Sequence, residues 1–84
     1  MTAPIVVIGA GGRVGSLVCH ALIAAGLPVR ALVRSRDRAQ AVPAEAALTV
    51  APDPPLQATA CVDARSVVCC VPAEVATALL AALP

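Results

Sequence analysis

An apolar run broken by glycines constrains this chain more than any other feature. Residues 5–8 read Ile-Val-Val-Ile, and glycines follow at positions 9, 11, 12 and 15. Four consecutive aliphatic residues suit a strand that is buried on both faces, as in a parallel sheet covered by helices. The stretch therefore predicts a buried strand, a glycine-rich turn and the start of a helix.

The spacing of three of these glycines predicts a phosphate-binding turn. Gly9 would let the chain turn sharply off the strand, Gly12 would leave room for a pyrophosphate beside the backbone, and Gly15 would let the helix pack close to the strand. The first amides of the helix lack internal partners and lie at the positive end of its dipole, which favours an anion. A tight strand-to-helix turn without a ligand is the alternative interpretation.

The stretch from Val7 to Ser35 resembles the NmrA-like atypical members of the short-chain dehydrogenase/reductase superfamily. The resemblance lies in Gly-Ala-x-Gly-Arg-Val-Gly at 9–15, Ala-Leu-Ile-Ala-Ala-Gly at 21–26 and Val-Arg-Ala-Leu-Val-Arg at 29–34. It covers almost the whole chain but only the first half of the family's domain. Residues 1–84 are therefore interpreted as the N-terminal half of an NAD(P)-binding Rossmann domain.

Alternating strand and helix patterns predict an α/β fold. We expect a truncated, Rossmann-like, doubly wound parallel sheet of about four strands in the order 3-2-1-4, with helices on both faces. We expect strands over 5–8, 29–33, 47–50 and 66–71, and helices over 13–25, 36–41, 56–62 and 73–83. Hydrophobic periodicity predicts that the first helix packs on the sheet through Val14, Leu17, Val18, Ala21, Leu22 and Ala25.

The end of the second strand predicts which dinucleotide is bound. An acidic residue about 20 positions after the last loop glycine holds the ribose hydroxyls of NAD, whereas an arginine there accommodates the 2′-phosphate of NADP. Arg34 stands at that distance, and no acid follows before Asp37. We therefore expect NADP in preference to NAD. The alternative is that Arg34, Arg36 and Arg38 form only a solvated loop and helix face.

The resemblance implies further contacts to this cofactor. Val71 and Pro72 stand at the end of the fourth strand and would line the ribose and nicotinamide side. The family's third strand tends to end in Gly-Asp, whose carboxylate lies near the adenine, but Ala51-Pro52 stand here and leave Asp53 as the nearest acid. The expected cofactor-binding residues are Gly9, Ala10, Gly11, Gly12, Arg13, Val14, Gly15, Arg34, Val71 and Pro72.

No catalytic residue is expected in this chain. Catalytic members of the wider superfamily use a Tyr-x-x-x-Lys pair, and these 84 residues contain neither Tyr nor Lys. The residues favour an NADP(H)-binding module that binds cofactor or senses redox state. The alternatives are a truncated NADP-dependent oxidoreductase whose substrate and catalytic part is missing from this chain, and a translated gene remnant without activity.

Composition narrows the expected partners and location. A net charge of +1 offers no electrostatic case for nucleic acid or a membrane surface, and no apolar stretch is long enough to span a bilayer. The N-terminus lacks the basic start of a secretory signal, so we expect a cytoplasmic protein. The four cysteines are expected to be buried free thiols, with no metal site. Residues 66–71 would form a sheet edge without lysine or internal proline, which predicts self-association through strand four.

Overall fold

The computed structural model describes residues 3–71 and 81, and at its centre lies a four-stranded parallel sheet. The strands are β1 (Ile5–Ile8), β2 (Val29–Val33), β3 (Ala47–Val50) and β4 (Ser66–Cys69), in the spatial order β3-β2-β1-β4. The predicted α/β fold and strand order are confirmed, and β1 to β3 have the predicted bounds. Strand β4 ends two residues before the predicted Val71.

The order of the strands reverses beside β1. Ile5 aligns with Val29 of β2 on one side and with Ser66 of β4 on the other. The chain moves outward through β2 and β3 and then returns to the opposite side of β1. In open parallel sheets such a reversal leaves a crevice at the carboxyl ends of the strands, where ligands bind.

The strands are connected by helices α1 (Arg13–Ala24) and α2 (Pro54–Ala60) and by a 3₁₀ helix over Arg36–Ala41. The 3₁₀ helix has the predicted bounds, whereas α2 begins two residues before the predicted range of 56–62. Pro54 and Pro55 suit the first turn of a helix, because the amides that they lack would have no helical partner there. The Asp53 carboxylate caps this turn by accepting from the Leu56 amide at 3.1 Å. The predicted helix over 73–83 lies outside the described residues.

Alternate residues of the central strands build two cores on opposite faces of the sheet. Val7 and Ala31 pack on the α1 face with Cys19, and Val6 and Leu32 pack on the other face with Cys61 at the end of α2. The side chains of β1 are buried throughout. This burial on both faces explains why β1 is a continuous aliphatic run rather than an alternating one.

The face that α1 turns to the sheet differs from the predicted one. Val14 is 63% exposed and Leu17 is 65% exposed, whereas Gly15 and Cys19 are buried. Because successive helical residues are about 100° apart, a helix that approaches β1 at Gly15 places residues 14 and 17 well away from the contact. Of the predicted face, Val18 and Leu22 do pack against the core, joined by Ile23, while Ala21 and Ala25 are exposed.

All four cysteines are free thiols, but only two are buried as expected. Cys19 and Cys61 are buried, Cys70 is half-buried and Cys69 is exposed. Burial raises the pKa of the Cys19, Cys61 and Cys70 thiols, so these three side chains are weak nucleophiles that pack as small apolar groups. Within residues 3–71 no helix has the length and hydropathy needed to cross a bilayer.

Candidate functional site

The connection from β1 to α1 is a tight turn that only glycine satisfies at its first position. Gly9 has φ of 79°, in the left-handed region, and a Cβ there would lie 2.7 Å from the Cys70 carbonyl oxygen. The Gly12 amide closes the turn by donating to the Gly9 carbonyl at 3.1 Å. The sharp exit from β1 that the sequence predicts is therefore present.

The start of α1 lies directly against this turn. A Cβ at Gly15 would overlap the Gly9 carbonyl oxygen and would lie 2.9 Å from the Ala10 Cα, so the close approach predicted at Gly15 is also present. A Cβ at Gly12 would meet only the Gly9 carbonyl oxygen, at an ordinary 3.5 Å. The surface of the turn at Gly12 is therefore open.

A cleft of about 290 Å³ opens at the carboxyl ends of β1, β2 and β4. Three segments form its walls: the glycine turn, the end of β2 with the following 3₁₀ helix, and the end of β4. The lining residues are Gly9, Gly11, Gly12, Val33, Arg34, Arg38, Cys70 and Val71. The cleft thus occupies the crevice that the strand order produces beside β1.

The charged residues that line the cleft are both arginines. Arg34 and Arg38 are exposed at its wall, and none of the lining residues is acidic. Two guanidinium groups without a carboxylate make this end of the cleft suitable for a phosphate, which guanidinium binds in a bidentate manner.

Arg38 was not among the expected site residues. It reaches the cleft because the 3₁₀ helix folds back onto the glycine turn, where a Cβ at Gly11 would overlap the Arg38 carbonyl oxygen and lie 2.6 Å from the Arg38 Cβ. The sequence does predict the short helix after Ser35 that carries Arg38. It does not predict that this helix packs on Gly11, which only the tertiary structure shows.

Five of the ten expected cofactor-binding residues line the cleft. Those that line the cleft are Gly9, Gly11, Gly12, Arg34 and Val71. Gly15 supports the packing of α1 and does not line the cleft, and Pro72 lies outside the described residues. Ala10 is fully buried, and its amide donates to the Leu32 carbonyl at 3.0 Å. The Ala10 amide is therefore engaged within the fold and is not free to bind an anion.

Other backbone amides of the turn and of the start of α1 remain available as hydrogen-bond donors. Among residues 3–71, the amides of Gly11, Arg13 and Val14 have no backbone acceptor, while the Ser16 amide already donates to Gly12 at 2.9 Å. Arg13 and Val14 themselves are exposed and contribute no side chain to the cleft. Free amides at the positive end of a helix can bind an anion.

The end of β2 is held from two sides. The Ala10 amide binds the Leu32 carbonyl, and the Ala51 amide donates to the Val33 carbonyl at 2.8 Å. On the far side of Ala51, the Gln57 Nε2 donates to the Ala51 carbonyl at 3.0 Å. These bonds fix the backbone immediately before Arg34.

Asp53, the acid nearest to the expected adenine contact, caps helix α2. Its carboxylate accepts from the Leu56 amide as the cap of α2 and does not line the cleft. The described part of the chain contains no group of three His, Cys, Asp or Glu side chains placed to hold a metal ion.

The described ion pair joins Arg30 to Asp63, away from the cleft lining. The Arg30 Nη1 lies 2.8 Å from the Asp63 Oδ1 and also donates to the Ala60 carbonyl at 2.6 Å. The hydrogen bond from Arg30 lowers the pKa of Asp63 and raises that of Arg30. The pair connects β2 to the segment between α2 and β4, which is a structural role.

Comparison with known proteins agrees with this architecture. Searches of curated proteins and of solved structures returned no significant match. The model of the NmrA-like family matches residues 1–75, nearly the whole chain. That family has an NAD(P)-binding, oxidoreductase-like domain and generally binds NAD(P). The glycine turn, the strand order and this match together show that the chain belongs to the NmrA-like family.

Proposed function

We propose that this chain is an NADP(H)-binding module that responds to the redox state of the nicotinamide pool. The observation that carries the proposal is the presence of Arg34 and Arg38, without an acid, in the cleft that also holds the glycine turn. A family that binds NAD(P) supplies the ligand class, and the two arginines favour the form with a 2′-phosphate.

The proposed pose follows from the donors on each wall. The pyrophosphate lies against Gly11 and Gly12 and accepts from the free amides at the start of α1. The 2′-phosphate lies between Arg34 and Arg38, and Cys70 and Val71 contact the ribose and nicotinamide side. Residues 1–84 form the N-terminal half of the complete dinucleotide-binding domain in this proposal.

Binding without turnover fits the chemistry of these residues. They include no Tyr or Lys, and the thiol that lines the cleft, Cys70, has its pKa raised by burial. The proposed output is therefore occupancy of the cleft. A protein of this kind would report the ratio of NADPH to NADP⁺ through different affinities for the two forms.

Titration of the purified chain with NADP⁺, NADPH and NAD⁺ in a calorimeter tests the proposal. We expect NADP(H) to bind at least about tenfold tighter than NAD⁺, the effect of one charge-assisted contact. The control variant Arg65→Gln should bind each dinucleotide as the wild type does. Arg65 is exposed at the amino end of β4, where its amide donates to the Pro4 carbonyl, and it does not line the cleft. Failure to bind any dinucleotide would refute the proposal.

The second candidate is a truncated NADP-dependent oxidoreductase whose substrate and catalytic part lies outside this chain. The oxidoreductase-like character of the family favours it. Incubation of the purified chain with NADPH and a panel of carbonyl compounds separates the two candidates. Steady NADPH consumption that scales with protein concentration would support the enzyme, and binding without consumption would support the module.

We also propose that the chain self-associates through β4 with a second copy. β4 ends the described sheet, contains no charged residue and exposes Val67 by 39% and Cys69. The pleat of β4 sets the position for a test substitution: Val68 and Cys70 pack towards the α1 core, whereas Val67 and Cys69 lie on the other face of the sheet and are exposed. Unpaired backbone groups on such a strand favour pairing with another chain.

A cytoplasmic location belongs to the same proposal. Cys19, Cys61, Cys69 and Cys70 are all free thiols, as is typical of a reducing compartment. Localisation of a tagged full-length protein by microscopy would test it, and secretion would contradict it.

A further inference from the structure

Gln57 combines burial with an incomplete set of hydrogen bonds. Its side chain is 3% exposed, its Nε2 donates to the Ala51 carbonyl at 3.0 Å, and its Oε1 has no hydrogen-bond partner among the described residues. The reverse amide orientation would place the Oε1 against the Ala51 carbonyl, two acceptors facing each other. The Nε2 is therefore the atom that faces Ala51.

A buried carbonyl oxygen without a donor lowers stability relative to an apolar side chain of the same shape. Packing alone thus favours Met or Leu at position 57, since the surrounding core consists of residues such as Ala51 and Cys61. What Gln57 provides and Met would not is the donor to Ala51.

That donor is the first member of a chain of contacts leading to the cleft. Gln57 fixes the Ala51 carbonyl, the Ala51 amide donates to the Val33 carbonyl at 2.8 Å, and Val33 shares its peptide plane with Arg34. Ala51 is 2% exposed, so the path is shielded from water. The orientation of this peptide plane sets the direction in which the Arg34 side chain leaves β2.

We propose that Gln57 is a positioning residue for cofactor selectivity, which holds Arg34 towards the 2′-phosphate of NADP through Ala51 and Val33. The inference rests on the proposed NADP(H) function and deepens it. It assigns to α2, on the opposite face of the sheet from α1, control over the affinity difference between NADP and NAD.

Gln57→Met tests the inference because it removes the donor and the orphaned oxygen together at similar volume. We expect an unfolding temperature close to that of the wild type, because removing the orphaned oxygen offsets the loss of the donor to the buried Ala51 carbonyl. We expect NAD⁺ affinity within about twofold and NADP⁺ affinity lowered about three- to tenfold, the effect of weakening one contact. Protection of the Ala51 amide from hydrogen exchange should fall. A purely structural role would change stability and both affinities together.

Thr59→Val is the matched control, because Thr59 also donates from α2 to a backbone carbonyl, that of Pro55 at 3.0 Å, but this carbonyl lies within α2 itself. It should leave the affinity ratio unchanged. If the wild type prefers NADP⁺ and Gln57→Met keeps the same ratio, the positioning role is refuted while the proposed function stands. If the wild type shows no preference for NADP⁺, the proposed function itself fails.

Discussion

Replacement of Arg34 by Asp is the sharpest test of cofactor choice. Arg34 lines the cleft from the end of β2, and none of the residues around it there is acidic. In the proposed pose the substitution removes a charge-assisted contact to the 2′-phosphate, worth about 1.5–3 kcal/mol, and places a carboxylate where the phosphate would lie. The same carboxylate can accept from the ribose hydroxyls of NAD.

The free energy converts to a measurable change in affinity. A loss of about 1.5–3 kcal/mol corresponds to about ten- to a hundredfold weaker NADP⁺ binding. Because Arg34 is exposed and Arg38 remains in the cleft, Arg34→Gln should fall in the lower half of that range. Arg34→Asp should reach the upper half, since it adds repulsion. NAD⁺ affinity should stay the same or improve.

Calorimetric titrations with NADP⁺ and NAD⁺ at low and moderate salt provide the assay. The difference between wild type and Arg34→Asp should shrink as salt increases, because the contact is electrostatic and solvent-exposed. Arg36→Gln is the control, since Arg36 lies in the same segment, is exposed and does not line the cleft. Equal losses for both dinucleotides would show that Arg34 supports the fold and does not bind the phosphate.

Three further substitutions test the fold and its partners. Gly15→Ala should destabilise the protein by at least about 1–3 kcal/mol in denaturant unfolding, because the new methyl overlaps the backbone of Gly9; unchanged stability would mean that α1 can shift freely. Asp63→Asn should lower the unfolding temperature at neutral pH but not in acid. The pKa of Asp63 is held below 3.8 in the fold, so its contribution is complete above that value and is lost as the pH falls through the lowered pKa; a gap that persists in acid would contradict the ion pair. Val67→Lys should reduce self-association in sedimentation at several concentrations, whereas Val62→Lys, at a 72% exposed residue before β4, should not; a wild type that is monomeric throughout would refute the β4 interface.

The bounds of β1 and β2 were predictable because each aliphatic run has a clear boundary, whereas β4 was predicted two residues too long because its apolar run continues through Val71. Gly9 ends β1 and Pro28 precedes β2, so the bounds followed directly from residue types. The predicted start of α2 at residue 56 was two residues too late because Pro54 and Pro55 are typical of a loop, although proline is also compatible with a first helical turn. The same residue type supports both structures, and the Asp53 cap distinguishes them.

The face of α1 was not predictable from hydrophobicity. Apolar residues occur on more than one face of this helix. The residue at the centre of its contact with the turn after β1 is Gly15, to which a hydrophobic pattern gives no weight. The residues of the cleft were likewise only partly predictable from the sequence. The glycine turn and Arg34 could be inferred from spacing, whereas Arg38 required the packing of the 3₁₀ helix, and the engagement of the Ala10 amide required the hydrogen bond to Leu32.

The contact between Gly11 and Arg38 has a consequence for protein engineering. Gly11 is not one of the glycines spaced three apart, yet a methyl group there would overlap the backbone of the 3₁₀ helix, whereas Gly12 has space beside it. A glycine turn transplanted alone onto another parallel sheet would therefore lack one wall of its cleft. A graft of residues 9–15 must therefore also carry residues 36–41, because the two segments pack against each other and form adjoining walls of the cleft.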